Sequence, residues 1–277
     1  MKKSYILCVD DGSKDKTWNL IQESAEKSTY IRGIKLSRNM GHQTALLAGL
    51  NATSSCAAVI SIDADLQDDI YAIRKMLDAW QNGFEIVYGV RDDRSTDTVF
   101  KRQTAKFFYK IMHLLGIELV SQHADFRLLD HKALQALLQY NENNLFLRGL
   151  IPLIGFSTTS VHYSRLKRIA GTSKYPLARM ISLAVEGITS LSVAPLRAIA
   201  IIGLFVTSIA TLCIVYALLT KLFSHAVSGW TSVTIAIFFM GGVQMLSLAI
   251  IGEYIGKIYL ETKRRPRYHI QSTKQKK

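Results

Sequence analysis

The chain has 277 residues, enough for one large domain and an appendage, with 34 Lys and Arg against 21 Asp and Glu and a formal net charge of +13. An apolar share of 49% is high for a soluble protein carrying 20% charged residues. No zinc-finger spacing or basic–aromatic repeat accompanies the charge, which fits an anionic membrane surface better than nucleic acid, and three cysteines (Cys8, Cys56, Cys213) without metal spacing argue against a disulfide framework.

Ser4 to Val9 reads as a strand, followed by the turn Asp10-Asp11-Gly12-Ser13. The polar start is not expected to be a secretory signal. A helix from about Asp15 places Trp18, Ile21 and Ala25 on one face. Ile31 to Leu36 is a second strand, and after Ser37-Arg38-Asn39-Met40-Gly41 comes a helix with Ala45, Ala48 and Gly49. Ala57 to Ile62 is a third strand, a helix from about Ile70 carries Ile73, Leu77 and Trp80, and Glu85 to Val90 is a fourth strand. Strand–helix alternation predicts a mostly parallel sheet with crossover helices. Ligands of such sheets bind beyond the carboxyl ends of the strands, where Asp10, Asp11, Asp63 and Asp65 fall.

The run Ser61-Ile62-Asp63-Ala64-Asp65-Leu66-Gln67-Asp68-Asp69 follows the third strand. Successive strand side chains point to opposite faces, so Asp63 and Asp65 share a face. Hard carboxylate oxygens at that spacing suit Mg2+ or Mn2+, ions that keep substrate phosphates in their shell. Alternatively, Asp68 and Asp69 cap the next helix. Arg91 to Thr98 is a charged loop expected to be mobile over a substrate, and a basic–aromatic helix spans Val99 to Leu115. Ala124 to Leu129 precedes another helix, and Ser157 to Tyr163 is a final strand.

Arg165 to Lys174 is a basic loop, and from Pro176 an amphipathic helix carries Leu177, Met180, Ile181, Ala184, Ile188 and Leu191. It reads equally as an interfacial helix on a membrane or a core-facing one. From Ala198 to Thr220 no Asp, Glu, Lys or Arg occurs, nor from Ala226 to Gly252. Each run is long enough to cross a hydrocarbon core of about 30 Å. The short link makes the spans, at about 198–220 and 230–252, a hairpin. Lys and Arg crowd its two flanks, which predicts that the large domain and both termini are cytoplasmic. The expected organisation is a domain over 1–164, a basic loop and interfacial helix over 165–196, two spans within 197–256 and a basic tail over 257–277.

Five features stand in order: Val9-Asp10-Asp11-Gly12-Ser13, Ser37-Arg38-Asn39-x-Gly41-His42, Asp63-Ala64-Asp65-Leu66-Gln67, Asp125-Phe126-Arg127-Leu128 and the hairpin. Together they resemble the family 2 glycosyltransferases that load sugars onto polyprenyl phosphate, such as bactoprenol glucosyltransferases and dolichol-phosphate mannose synthases. The resemblance covers essentially the whole chain. It implies a GT-A fold and an inverting transfer from a nucleotide-sugar (UDP-glucose or UDP-N-acetylglucosamine) to undecaprenyl phosphate at the cell membrane, for cell-envelope glycan modification. It implies that Asp10 or Asp11 contacts the nucleotide, and that Asp63, Asp65 and Gln67 hold the metal and diphosphate. Arg102 and Arg127 would hold the acceptor phosphate, and Asp125 would be the catalytic base or acceptor-orienting carboxylate. It also implies homo-oligomers, with which the Gly252-x-x-x-Gly256 spacing is compatible.

The family opens with a further strand and a Val-Pro-x-Tyr-Asn-Glu-like turn before the segment matching Ser4 to Val9. Without them, the sheet is expected to have an uncovered edge and the donor site to lack a wall. An alternative reading follows: a catalytically inactive membrane remnant, or an oligomerisation partner of a full-length relative.

Overall fold

The computed structural model describes residues 4–91, 123–142, 146–164, 189, 193–223 and 229–276. Arg102, the loop over 92–98, the helix expected over 99–115, the basic loop over 165–174 and most of the helix expected from Pro176 lie outside the described residues.

The first half alternates as its periodicity predicts: β1 (Ile6–Asp10), α1 (Thr17–Lys27), β2 (Ile31–Leu36), α2 (His42–Ala52), β3 (Ala58–Ser61), α3 (Ala72–Gln81) and β4 (Ile86–Arg91). There follow β5 (His123–Asp130), α4 (His131–Leu138), α5 (Leu147–Leu153) and β6 (Thr158–Tyr163). Two long helices, α6 (Ala194–Phe223) and α7 (Trp230–Thr262), lead to β7 (Ile270–Gln275).

The architecture is α/β, but its sheets are mixed rather than mostly parallel. One is ordered β1-β2-β7 and the other β3-β5-β4-β6. β1 and β2 are parallel, and β7 adds antiparallel to β2. β5 inserts between β3 and β4, antiparallel to both, and β6 runs parallel to β4. Alternation reports only strands that a crossover helix joins. β5 reaches its place through the long connection after β4, and β7 comes from the tail, so neither direction follows from that pattern.

Period-2 alternation sorts the central side chains to two faces. Ile86, Tyr88 and Leu129 pack with Leu134, Leu137, Leu147 and Leu150 on one face. Val87, Phe126 and Leu128 pack with Met76 and Tyr163 on the other. Full burial of each large apolar side chain contributes about 1.5–3 kcal/mol. Gly89 lets β4 lie close to β5, because a Cβ there would stand 2.9 Å from the Phe126 carbonyl oxygen.

α2 spans both sheets. Its Leu46 and Leu50 join Val59, Ile86 and Leu129. Its Ala45 and Ala48 join Leu7, Ile34 and Leu36. Tyr5, just before β1, places its hydroxyl 3.3 Å from the Cys56 sulfur, just before β3. Residues from both sheets therefore pack along α2, whose first residue is His42.

Among the described residues, one stretch, Phe239–Thr262 within α7, is long and apolar enough to cross a membrane; α6 carries a shorter apolar stretch, Pro195–Val206. Side chains such as Ile201, Leu204, Phe205, Ile237 and Phe239 are exposed. The helix expected to end near residue 252 runs ten residues further, to Thr262. The tail then returns to the domain. The Ser37 amide donates to the His269 carbonyl at 3.0 Å, and Arg267 donates to the Tyr140 carbonyl at 2.9 Å.

Candidate active site

The acidic turn after β1 is built from its own backbone. Asp10 is buried and its Oδ1 accepts from the Ser13 amide at 2.9 Å. Its Oδ2 is buried without a partner among the described residues. The carboxylate of Asp11 accepts from the amides of Met40 at 2.7 Å and Gly41 at 2.9 Å. Asp11 thus pins the loop that leads into α2. Gly12 makes the approach possible: its φ is +66°, and a Cβ there would fall 2.4 Å from the Arg38 carbonyl carbon. Only glycine accepts both demands without strain.

The second acidic turn differs from the strand reading. β3 ends at Ser61, where its ladder to β5 stops opposite Arg127. Asp63 and Asp65 therefore sit on a turn, not on a strand face, and Leu66 takes a positive φ of 57°. Asp65 Oδ1 accepts from the Gln67 amide at 3.1 Å, closing the turn, and Gln67 is buried. Burial pushes the Asp63 carboxyl above its ordinary value, against the pull of His42.

Neither Asp68 nor Asp69 caps α3 as its N-cap residue; Tyr71 occupies that position. Asp69 bonds the Tyr71 amide at 2.9 Å. Asp68 is buried and accepts from the Tyr163 hydroxyl at 2.5 Å and from Arg91 at 3.0 Å. It ties the end of β4 at Arg91 to the end of β6 at Tyr163.

Asp125 is the hub. It lies on β5 with 7% of its side chain exposed. Three basic groups converge on it. Arg127, two residues along the same strand and thus on the same face, bonds Oδ1 from a side chain only 1% exposed. Arg148 on α5 reaches Oδ1 through Nε at 3.3 Å and Oδ2 through a terminal nitrogen at 3.1 Å. The His42 Nε2 lies 3.0 Å from Oδ2 and 3.8 Å from Asp63 Oδ1. Burial opposes ionisation of Asp125, but the His42 bond and the charges of Arg148 and Arg127 outweigh it and hold its pKa well below the usual carboxylate range. The bond to Asp125 raises the His42 pKa, with burial opposing.

Asp63 and Asp125, both expected in the site, are thus linked through His42. Arg127 is present but buried, with Nε and the other terminal nitrogen unpartnered among the described residues. His42 appeared in the sequence only as part of a motif, and Arg148 had no role. The available signal for Arg148 was one cation inside Phe146-Leu147-Arg148-Gly149-Leu150-Ile151, an otherwise apolar run.

Among the described residues, no three His, Cys, Asp or Glu side chains gather into a self-contained metal cage. The donor set instead offers the carboxylates of Asp63 and Asp65 on one turn. That chemistry fits a hard cation held by one or two carboxylates and completed by substrate phosphates.

Residues 2–138 match glycosyl transferase family 2. Over 271 residues, 97% of this chain and 88% of the relative, the sequence is 42% identical to the bactoprenol glucosyl transferase of Shigella phage SfX. It is 40% identical over 277 residues to the prophage bactoprenol glucosyl transferase homolog of Escherichia coli (strain K12), covering 98% of this chain and 90% of that one. It is 51% identical over 268 residues to the uncharacterized glycosyltransferase YkoT of Bacillus subtilis (strain 168), covering 96% and 80%.

Proposed function

The chain belongs to glycosyl transferase family 2 and is a glycosyltransferase, and from that premise we propose that it moves a hexose from a nucleotide-sugar to a polyprenyl phosphate at the cytoplasmic membrane surface. The observation that carries this reading is the grouping of Asp63, His42, Asp125, Arg127 and Arg148. A carboxylate suited to the donor end is linked to a cationic cluster suited to a phosphate.

In the proposed reaction the acceptor phosphate oxygen attacks the anomeric carbon. A carbon–oxygen bond forms there while the bond to the donor diphosphate breaks, inverting the centre. The nucleophile is already ionised near neutral pH, so no strong base is required. Asp125 suits that demand. Its depressed pKa makes it a weak proton acceptor, and its bonds to two arginines make it an orienting group. Asp63 and Asp65 would hold Mg2+ or Mn2+, whose positive charge would stabilise the departing diphosphate. Asp10 and Asp11, at the end of β1, are the proposed nucleotide side, with Asp11 acting through the loop it pins. Gln67, buried and bonded through its amide to Asp65, is proposed with Asp63 and Asp65 at the metal and diphosphate, and Arg102 is proposed as an acceptor-phosphate ligand.

The fold proposed is GT-A, with α6 and α7 as a two-span hairpin and both flanks cytoplasmic. The return of the tail to pair β7 with β2 supports a hairpin whose ends lie on the domain's side. The bactoprenol glucosyl transferases among the relatives support the acceptor. UDP-glucose and UDP-N-acetylglucosamine are the proposed donors, cell-envelope glycan modification the proposed use, and a homo-oligomer the proposed assembly.

The test is direct. Purified protein in detergent is given undecaprenyl phosphate, Mg2+ or Mn2+ and labelled nucleotide-sugars. Label in the lipid extract is the expected result. A folded protein that yields none with any common sugar would overturn the reading.

A further inference from the structure

We propose that Arg267 and Tyr268, in the tail beyond α7, are positioning residues for the donor side of the site: they hold the loop from Ser37 to Gly41 in the shape that Asp11 engages. The inference rests on the nucleotide side proposed above and deepens it by naming what sets its loop.

The loop is held from two directions. The amides of Met40 and Gly41 donate to the Asp11 carboxylate at 2.7 and 2.9 Å. The amide of Ser37, at the loop's other end, donates to the His269 carbonyl at 3.0 Å. Tyr268, next to His269, is half-buried and packs against the cluster of Ile34, Leu36 and Ala48, on which Met40 and Ala45 also pack. The tail therefore supports both the start of the loop and the apolar floor beneath it. α2 begins directly afterwards at His42.

Arg267 fixes the tail to a second point. Its guanidinium donates to the Tyr140 carbonyl at 2.9 Å. Tyr140 packs with Leu147 and Leu150 of α5, the helix that carries Arg148. Burial lowers the Arg267 pKa, and the charges of Glu261 on α7 and Glu142 beyond α4 oppose that. Arg267 thus lies between the end of the long helix and the domain.

The link that delivers this strap is short and stiff. Only Lys263 to Pro266 separate α7 from Arg267. Arg264 takes a left-handed φ of 46°, its amide donates to the Glu261 carbonyl at 3.1 Å, and the proline ring fixes the φ of residue 266. Closing so short a connection costs little chain entropy, so α7 holds the strap against the loop at high effective concentration. The pairing of β7 with β2 then continues from Ile270 opposite Leu36.

The experiment compares the full-length wild type in detergent with R267A, Y268A, Y268F and K274A, each first checked for its melting transition. Hydrogen–deuterium exchange is read on peptides covering residues 37–42. The Kd for UDP is measured without turnover, and kinetics are run with the nucleotide-sugar and undecaprenyl phosphate varied separately. R267A and Y268A are expected to speed exchange in that loop and to raise the UDP Kd and the nucleotide-sugar KM by about fivefold or more, with the acceptor KM and kcat within about twofold of wild type. Y268F keeps the ring packing and should behave as wild type. K274A removes a pair with Glu26, 2.6 Å away, elsewhere on β7, and should also match wild type. If Y268A fails to fold, R267A carries the test, since it loses one bond to a carbonyl. Unchanged loop exchange and UDP Kd in the folded variants would overturn the assignment, as would an equal effect in K274A. A wild type that binds UDP with this loop protected, loses both in R267A, and yet forms no glycolipid would overturn the proposed reaction and leave the positioning role standing.

Discussion

His42 and Asp125, 83 positions apart in sequence, meet at 3.0 Å and join the N-terminus of α2 to the central strand β5. The bond from Asp125 raises the His42 pKa above 6.5, with burial opposing it. A raised pKa gives stabilisation that is fully present below the unfolded value and is lost as pH rises through the folded one. The imidazole is therefore expected to titrate above 6.5, and D125N to bring it back down. Side-chain NMR titration of the two proteins checks this. An equal His42 pKa in both would contradict the link.

Removing the Asp125 charge should also strand Arg127. That guanidinium is only 1% exposed and already carries nitrogens unpartnered among the described residues. Deleting one member of a buried pair costs about 3–5 kcal/mol. D125A is expected to lower stability by that order and to abolish measurable sugar transfer. Denaturant unfolding and the lipid-extraction assay read the two effects.

Gly12→Ala tests the acidic turn. The new methyl meets the Arg38 backbone, and alanine must adopt the positive φ. Strain of about 1–3 kcal/mol is expected, together with a displaced Asp11 and a raised KM for the nucleotide-sugar. Thermal unfolding and donor-varied kinetics measure it. An unchanged KM would separate the turn from donor binding.

The legible parts of this fold were those where local pattern and local structure coincide. The segment Ile31 to Leu36, read as a strand, forms β2 over the same residues, and Asp10 and Asp125 lie at buried strand positions of the candidate site. The strand β5 was hidden because it carries Asp125 and Arg127 among its buried residues, a polar alternation whose purpose appears only once His42 and Arg148 arrive from other elements. β7, Ile270-Gln271-Ser272-Thr273-Lys274-Gln275, is polar because it is an edge strand. Its pairing to β2 is set by tertiary return of the chain, which no local periodicity encodes. The reading of Asp63 and Asp65 as one strand face failed because the β5 ladder stops at Ser61.

Truncation after residue 268 tests that return. It removes β7 and leaves β2 with an open edge toward solvent. The melting temperature is expected to fall by several degrees, at about 2–4 °C for each kcal/mol lost. Differential scanning fluorimetry of the full chain and the truncated chain in detergent gives the comparison. Identical transitions would show that β7 adds nothing to the domain.

The most direct test of the account is the rate of labelled sugar transfer to undecaprenyl phosphate by wild type and by D63A/D65A, measured in parallel at saturating Mg2+ or Mn2+. Removing both carboxylates should take away the hold on a cation at the diphosphate and lower the rate by at least about a hundredfold, while the melting transition stays intact. Transfer by the folded double variant at the wild-type rate would contradict it.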